Sequence, residues 1–209
     1  GATESVNVND GITSNTGNNR NWSTSGFLLF RQKLGKQGRT VSANFRYSFS
    51  NNVLNGLNRS LTNVYDENGQ LLPDEREVVN QRFDQNSNST SLSGRVVYTE
   101  PLTKHLFLEA NYQYSWNFNR SGKNTFNSGS YDIVDGLPQF NPEGAYKDDI
   151  YSNKITNESH NHRAGLNLSY QIKKFRANLG AQVNPTDTYN ETNGKVYSNK
   201  VVNWSPQAM

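Results

Sequence analysis

Residues 105–119 read HLFLEANYQYSWNFN, and nearly every second residue is apolar. Leu106, Leu108, Ala110, Tyr112, Tyr114, Trp116 and Phe118 fall on one parity. Glu109, Asn111, Gln113, Ser115 and Asn117 fall on the other, with Phe107 the exception. A strand sends successive side chains to opposite faces, whereas a helix would scatter this set around its circumference. The stretch is therefore a strand with one apolar and one wet face. It is too long for an ordinary sheet, where about 5–6 residues is typical. Its aromatics gather at one end, as they do where a strand leaves a bilayer. The pattern predicts an all-β chain, an antiparallel up-and-down transmembrane β-barrel.

Outward from this run, the same alternation recurs between links that are short and long in turn. Asn21 to Leu34 reads as a first strand, ended by the short turn Gly35-Lys36-Gln37-Gly38. The alternation leaves open whether Leu28 and Phe30 or Phe27 and Leu29 form its lipid-facing set. In the second strand Val41, Ala43, Phe45, Tyr47 and Phe49 share one face, and Ser42, Asn44, Arg46 and Ser48 the other. A long loop follows, marked by Asp66-Glu67-Asn68-Gly69 and Pro73-Asp74. The third strand is clearest from Leu92 to Thr99, and Glu100 to Lys104 makes a short turn into the run above. A long link rich in Gly, Pro, Asn and Asp spans about 122–151. Ala164, Leu166, Leu168, Tyr170 and Ile172 mark the fifth strand, Lys173-Lys174 a tight turn, and Phe175 to Val183 the sixth. A loop from Pro185 to Gly194 leads into a seventh. The expectation is a fragment of about six to seven strands, residues 1–209 forming one partial barrel domain.

Short turns at one end and long loops at the other fit short periplasmic turns and longer extracellular loops. This topology places Phe49, Trp116 and Phe118 beside long loops and Tyr98, Tyr170 and Phe175 beside short turns, as two aromatic girdles. Leu106 to Trp116 covers roughly 33 Å, or about 25 Å along the normal at ~40° tilt, which matches the apolar band of such barrels. Parity also constrains pairing. A two-residue turn at Lys173-Lys174 sets Ile172 opposite Phe175 and Gln171 opposite Arg176. Pairing Tyr98 with Leu106 would set Arg95 opposite Glu109 as an ion pair.

Only 33% of the residues are hydrophobic, and none of the runs approaches the ~20 apolar residues of a membrane helix. A barrel strand needs apolar residues only at alternate positions, so low hydropathy does not oppose a barrel. Cysteine is absent, which excludes a disulfide framework and thiolate metal sites. The net charge of +3 is scattered, giving no phosphate-binding stripe and no expectation of nucleic acid as a partner. Eleven Tyr, ten Phe and three Trp oppose disorder despite the Asn- and Ser-rich background. Triplets such as Asn88-Ser89-Thr90 and Asn203-Trp204-Ser205 arise by chance in an Asn-rich chain and are not read as glycosylation sites. From Gly1 the chain shows no charged and apolar leader, so either a removed signal or, in preference, an internal segment is expected.

The lipid-facing set expected from parity is Phe45, Tyr47, Phe49, Leu106, Leu108, Tyr112, Tyr114, Trp116, Phe118, Leu166, Leu168 and Tyr170. The lumen-facing set is Arg46, Arg95, Glu109, Asn111, Gln113, Arg163 and Arg176. Its arginines could bias a channel toward anions, although bracing the wall or holding a plug is the commoner role. His160 and His162 would share a strand face, but without a third ligand a rim pair is preferred over a metal site. Asp132, Asp135, Glu143, Asp148 and Asp149 make an acidic loop whose spacing does not match an ordered calcium loop. Nucleophile, zinc-protease and phosphate-cradle motifs are absent, so neither an enzyme nor a cofactor is expected.

Leu28-Leu29-Phe30-Arg31-Gln32-Lys33-Leu34 leading to Lys36-Gln37-Gly38-Arg39-Thr40-Val41-Ser42 resembles a barrel family common in Bacteroidetes. Tyr98-Thr99-Glu100-Pro101-Leu102 before Tyr112-Gln113-Tyr114, and Asn203-Trp204-Ser205-Pro206, resemble it too. The family is the outer-membrane β-barrel domain of TonB-dependent-receptor-like proteins, which close about 22 strands around a plug. Neither a plug-like segment nor an energy-coupling box is visible, and Gln207-Ala208-Met209 is not an aromatic terminal strand, so a partial barrel is expected. The resemblance implies energised nutrient uptake across a bacterial outer membrane. It implies as partners outer-membrane lipid, the remaining barrel, a plug, an inner-membrane energy-coupling protein and a nutrient that the sequence does not identify. The 122–151 loop would be the place of ligand contact. Rival expectations are a passive outer-membrane channel and a soluble secreted β-rich adhesion or glycan-binding protein. The last would bury Tyr112, Tyr114 and Trp116 against a second sheet.

Overall fold

A computed structural model describes residues 8–208; the reading at Gly1 and the terminal Met209 lie outside them. Strand makes up about four-fifths of the described residues, against 20–25% in ordinary soluble proteins. The long strands are β1 (Asn9–Lys33), β2 (Thr40–Val64), β3 (Glu77–Pro101), β4 (Leu106–Asn127), β7 (Tyr146–Ile172), β8 (Phe175–Thr192) and β9 (Lys195–Ala208). They form one antiparallel sheet in the order β1-β2-β3-β4-β7-β8-β9, which is not closed. Between β4 and β7, β5 (Ile133–Val134) and β6 (Leu137–Pro138) make a small separate hairpin. A single 3₁₀ turn, Pro73–Glu75, interrupts the link between β2 and β3.

The strands run far beyond the alternating stretches that mark them in the sequence. β1, β2 and β3 have 25 residues each and β7 has 27, more than twice the ~9–11 that a tilted strand needs to cross a bilayer. Toward the long-loop end both parities carry Asn, Ser and Thr, so the period of two has no hydrophobic contrast there. The expected 185–194 loop is corrected for this reason: β8 continues to Thr192, and only Asn193 and Gly194 turn the chain. Both take positive φ, 49° and 83°, as a two-residue Asn-Gly hairpin requires. Pro185 sits where pairing with β7 stops at Asn161–Thr186 and resumes at Ala164–Val183. A residue without an N–H is tolerated in such an interruption.

Register follows from the turns. Ile172 pairs with Phe175 and Gln171 with Arg176. In the β1–β2 hairpin Leu34 N bonds Arg39 O and Tyr65 N bonds Val8 O, so one register holds throughout. It sets Gly26 against the Tyr47 ring and thereby puts Leu28 and Phe30 on the face of Phe45 and Tyr47. Phe27 and Leu29 share the face of Arg46. The Tyr98–Leu106 pairing is corrected. Leu102 N bonds Leu106 O, and Ser91, Ser89 and Ser87 reach Asn117, Asn119 and Ser121. All these pairs share one midpoint, which sets Tyr98 opposite Ala110 and Arg95 opposite Gln113. Arg95 and Glu109 keep a common face but stand about four residues, roughly 13 Å, apart along the strand, and no ion pair joins them. The turn is tighter than expected because Pro101 stays within β3.

The chain divides into two compact units. The first takes the residues up to Asn21, Asn52–Asn86 and Gly122–Asn153. Here the β4–β7 link folds over the sheet: Asn80 donates to Gln139 O, Arg82 lies 5.8 Å from the Phe140 ring centroid, and Gly136 abuts Ile12. In this unit Leu61, 6% exposed, is the buried large apolar side chain among the described residues. The second unit takes Trp22–Asn51, Ser87–Ser121 and the chain from Lys154 onward. In it Phe45, Tyr112, Leu166, Leu179 and Trp204 are all exposed, with no second protein layer on them. The accessible surface of 14910 Å² compares with roughly 9800 Å² for a folded monomer of 23.6 kDa.

In the first unit Gly17 and Gly56 face each other across β1 and β2. A Cβ on Gly56 would meet Thr16 O, and one on Gly17 would lie 2.9 Å from Asn55 O. Gly56→Ala is expected to destabilise the protein by roughly 1–3 kcal/mol, since backbone must move to admit it. Denaturant unfolding in phospholipid vesicles measures this, with Gly94→Ala, which meets nothing closer than 3.9 Å, as the near-neutral control.

Candidate functional site

The second unit presents two chemically distinct faces. On the polar face, Ser91 Oγ donates to Asn117 Oδ1 at 2.8 Å, and Asn117 Nδ2 reaches Ser159 Oγ at 3.5 Å. Asn161 approaches Ser159 as well, Gln182 donates to Ser205, and Arg163 Nε donates to Asn184 Oδ1 at 3.1 Å. Neutral amides and hydroxyls tie β3 to β4, β4 to β7 and β8 to β9, and the Arg163 guanidinium ties β7 to β8. Arg176 Nη2 donates to Gln171. A groove of about 890 Å³ runs over this face between β1 and β3, lined by Ser25, Phe27, Arg46, Ser48, Ser91 and Ser93. A second, of about 330 Å³, lies around Gln113, Asn117, Asn161, Arg163 and Asn184. Arg46, Arg95, Glu109, Asn111, Gln113, Arg163 and Arg176 all belong to this face by register.

The other face carries the aromatics, and their polar tips lean in consistent directions. Gln171 N bonds His105 O, a register that sets Tyr112 level with Ala164, Tyr114 with His162 and Trp116 with His160. Each tip reaches one pair further toward the long-loop end: Tyr112 to His162 at 2.7 Å, Tyr114 to His160 at 2.8 Å and Trp116 to Glu158 at 2.7 Å. Glu158 also faces His160 Nε2 at 3.2 Å. Tyr98 leans the opposite way, donating to Glu100 at 2.6 Å toward the short-turn end. There Arg39 grips Glu100 with two N–H groups at 2.7 and 2.8 Å, and Lys36 stands 3.6 Å away. A paired N–H fork of this kind is the strongest geometry for an Arg–carboxylate contact. Glu100 is level with Leu108 and Glu158 with Phe118, so about ten residues, or ~25 Å along the normal at ~40° tilt, separate the carboxylate that holds Tyr98 from the one that holds Trp116.

His160 and His162 thus share a face, and each ring is bonded to a tyrosine rather than aimed at a common point. No group of three or more His, Cys, Asp or Glu suited to a metal ion occurs among the described residues. The acidic residues of the 122–151 link do not converge. Asp149 faces Lys147 at 4.0 Å, and Asp135 takes φ 54° in the β5–β6 turn. Asp148 accepts Asn127 Nδ2 at 2.8 Å and the backbone N–H groups of Ile150 and Tyr151 at 3.0 and 3.2 Å. These donors hold its carboxyl below the ordinary value, Asn127 contributing most. Much of the link is strand, since β4 continues to Asn127 and β7 begins at Tyr146. Missed in the sequence were the Tyr–His and Trp–Glu contacts. The spacing of His160 and His162 by two held the signal, once set against Tyr112 and Tyr114.

Residues 32–209 match an outer membrane protein beta-barrel family. A search of curated proteins found no match.

Because the Asp148 carboxyl is depressed below its ordinary value of 3.8, its bonds contribute stability above that pH and lose it as pH falls through the lower folded value. The amides of Ile150 and Tyr151 are therefore expected to stay protected from neutral pH down to about 4 and to open under stronger acid. Asp148→Ala is expected to raise their exchange rate about tenfold at neutral pH, the worth of one ordinary hydrogen bond. Exchange at Leu168, far along β7, should not change. Hydrogen–deuterium exchange read by mass spectrometry checks both.

Proposed function

The chain belongs to the outer membrane protein beta-barrel family, and on that premise we propose that it is wall of a TonB-dependent-receptor-like transporter for nutrient uptake. It has an outer-membrane location. The observation that carries the reading is the bare aromatic face of the second unit. Tyr112 is 46% exposed, Tyr114 and Trp116 are half-buried, and among the described residues no second long-stranded sheet packs on them. The tips of these three and of Tyr98 lean toward opposite strand ends. Amphipathic aromatics take that posture at the two borders of a bilayer, with rings in the apolar zone and N–H or O–H groups toward water. A sandwich would have covered these rings.

In this reading Phe45, Tyr47, Phe49, Leu106, Leu108, Tyr112, Tyr114, Trp116, Phe118, Leu166, Leu168 and Tyr170 meet lipid, joined by Leu28 and Phe30. The face of Arg46, Arg95, Glu109, Asn111, Gln113, Arg163 and Arg176 lines the lumen. The strand ends beyond Phe118 and Glu158 stand outside the bilayer, and the link between β4 and β7 belongs to the outer surface where a nutrient first arrives. Further barrel strands, a plug and an inner-membrane energy-coupling protein complete the transporter. These partners, the energised mechanism and an origin among Bacteroidetes are supported by the resemblance of Leu28–Ser42, Tyr98–Leu102 and Asn203–Pro206 to that receptor class. The role is transport, without catalysis.

Planar-bilayer recording on the full-length protein tests this. The intact protein is expected to stay closed, and removal of its plug to open a steady conductance. A steadily open intact protein would contradict energised uptake and identify a passive channel.

A further inference from the structure

We infer that the solute moving along this wall is a small anion, one bearing carboxylate, sulfate or phosphate groups. The inference rests on the polar face lining the lumen, and it names the substrate class of that same surface. In the second unit, charge is divided between the faces. The ion pairs there, Arg39 and Lys36 with Glu100 and Lys200 with Asp187, lie on the aromatic face, as does the His160–Glu158 contact. On the polar face Arg46, Arg95, Arg163 and Arg176 are exposed, and among the described residues none of the four pairs with a carboxylate. Glu109 is the acid that this face carries among the expected lumenal residues, and the register holds it two pairs away from Arg95.

Bracing by ion pairs would have placed acids opposite the arginines. Their neighbours are neutral instead. Arg163 uses Nε on Asn184, which leaves its terminal N–H groups free beside the amides of Gln113, Asn117 and Asn161 in the same groove. Arg176 donates to the Gln171 amide oxygen. A guanidinium fork with free N–H groups is complementary to a planar or tetrahedral oxyanion. Several such forks along a wall with low-dielectric backing raise the local concentration of anions and repel cations. Serine and asparagine rows between them supply weak, exchangeable partners, so a solute can move from one arginine to the next.

The test uses the full-length protein in neutral phosphatidylcholine vesicles, with pyranine, a trisulfonated dye, as the probe. Insertion is read separately, from β-sheet circular dichroism and protection from protease. The inserted protein is expected to bind pyranine, to bind it at least about tenfold less well when salt rises from about 20 to about 300 mM, and to ignore a cationic dye of similar size. Replacing Arg46, Arg95, Arg163 and Arg176 together by Gln should weaken binding at least about tenfold, and replacing all four by Lys should restore most of it. Equal binding of both dyes by an inserted protein, or an inserted Gln variant that binds as tightly, would overturn the inference and leave the barrel reading standing. Failure to insert would overturn the barrel reading itself, and the inference with it.

Discussion

The hydrogen-bonded ladder fixes which side chains can ever meet, and every other property of this protein depends on it. Each strand pairs edge to edge with the next, so backbone groups are satisfied within the sheet and the side chains divide by parity. One register runs the length of the β1–β2 hairpin, another the length of β3–β4, and a third joins β7 to β8. A slip of one residue between β3 and β4 would exchange Tyr112 and Trp116 for Gln113 and Asn117. The faces therefore differ in chemistry because the ladder does not slip.

Such a sheet has no interior. Folded soluble domains gain most of their stability by packing apolar faces against each other. Among the described residues, Leu61 of the first unit is the large apolar side chain buried in this way; the β4–β7 link touches Ile12 and Arg82 there, and both stay about half exposed. In the second unit the apolar side chains need another solvent. Membership of an outer-membrane barrel family supplies one, since lipid accepts apolar side chains as long as the backbone is paired. Under the proposed barrel reading, the second unit leaves its apolar side chains to the bilayer.

Much of this was legible in the sequence, and the gaps have physical causes. The Leu106–Phe118 alternation carried the strand, its faces and the fold class, because apolar and polar residues contrast there. Where both parities are polar, as from Asn119 to Asn127 or Pro185 to Thr192, pairing left no trace in hydropathy. Asn193-Gly194 did mark its turn, yet the polar residues before it made the whole stretch look like loop. The β3–β4 register is not legible because a proline after Glu100 signals a turn, whereas Pro101 ends β3 as a paired residue. The Leu28 and Phe27 alternatives could not be separated within β1, since four apolar residues in a row erase parity; only the partner strand decides. The contacts of His160 and His162 depend on the offset between β4 and β7, which no local pattern encodes.

The most direct test asks which solvent meets each parity of β4. The chain has no native cysteine, so spin labels can be placed singly at positions 106–117 of the full-length protein in lipid vesicles. Collision with oxygen, which concentrates in lipid, should peak at the even positions, and collision with a water-soluble nickel chelate should peak at the odd ones. Even positions shielded from both reagents would mean that protein covers them, and an account built on lipid as their solvent would be contradicted.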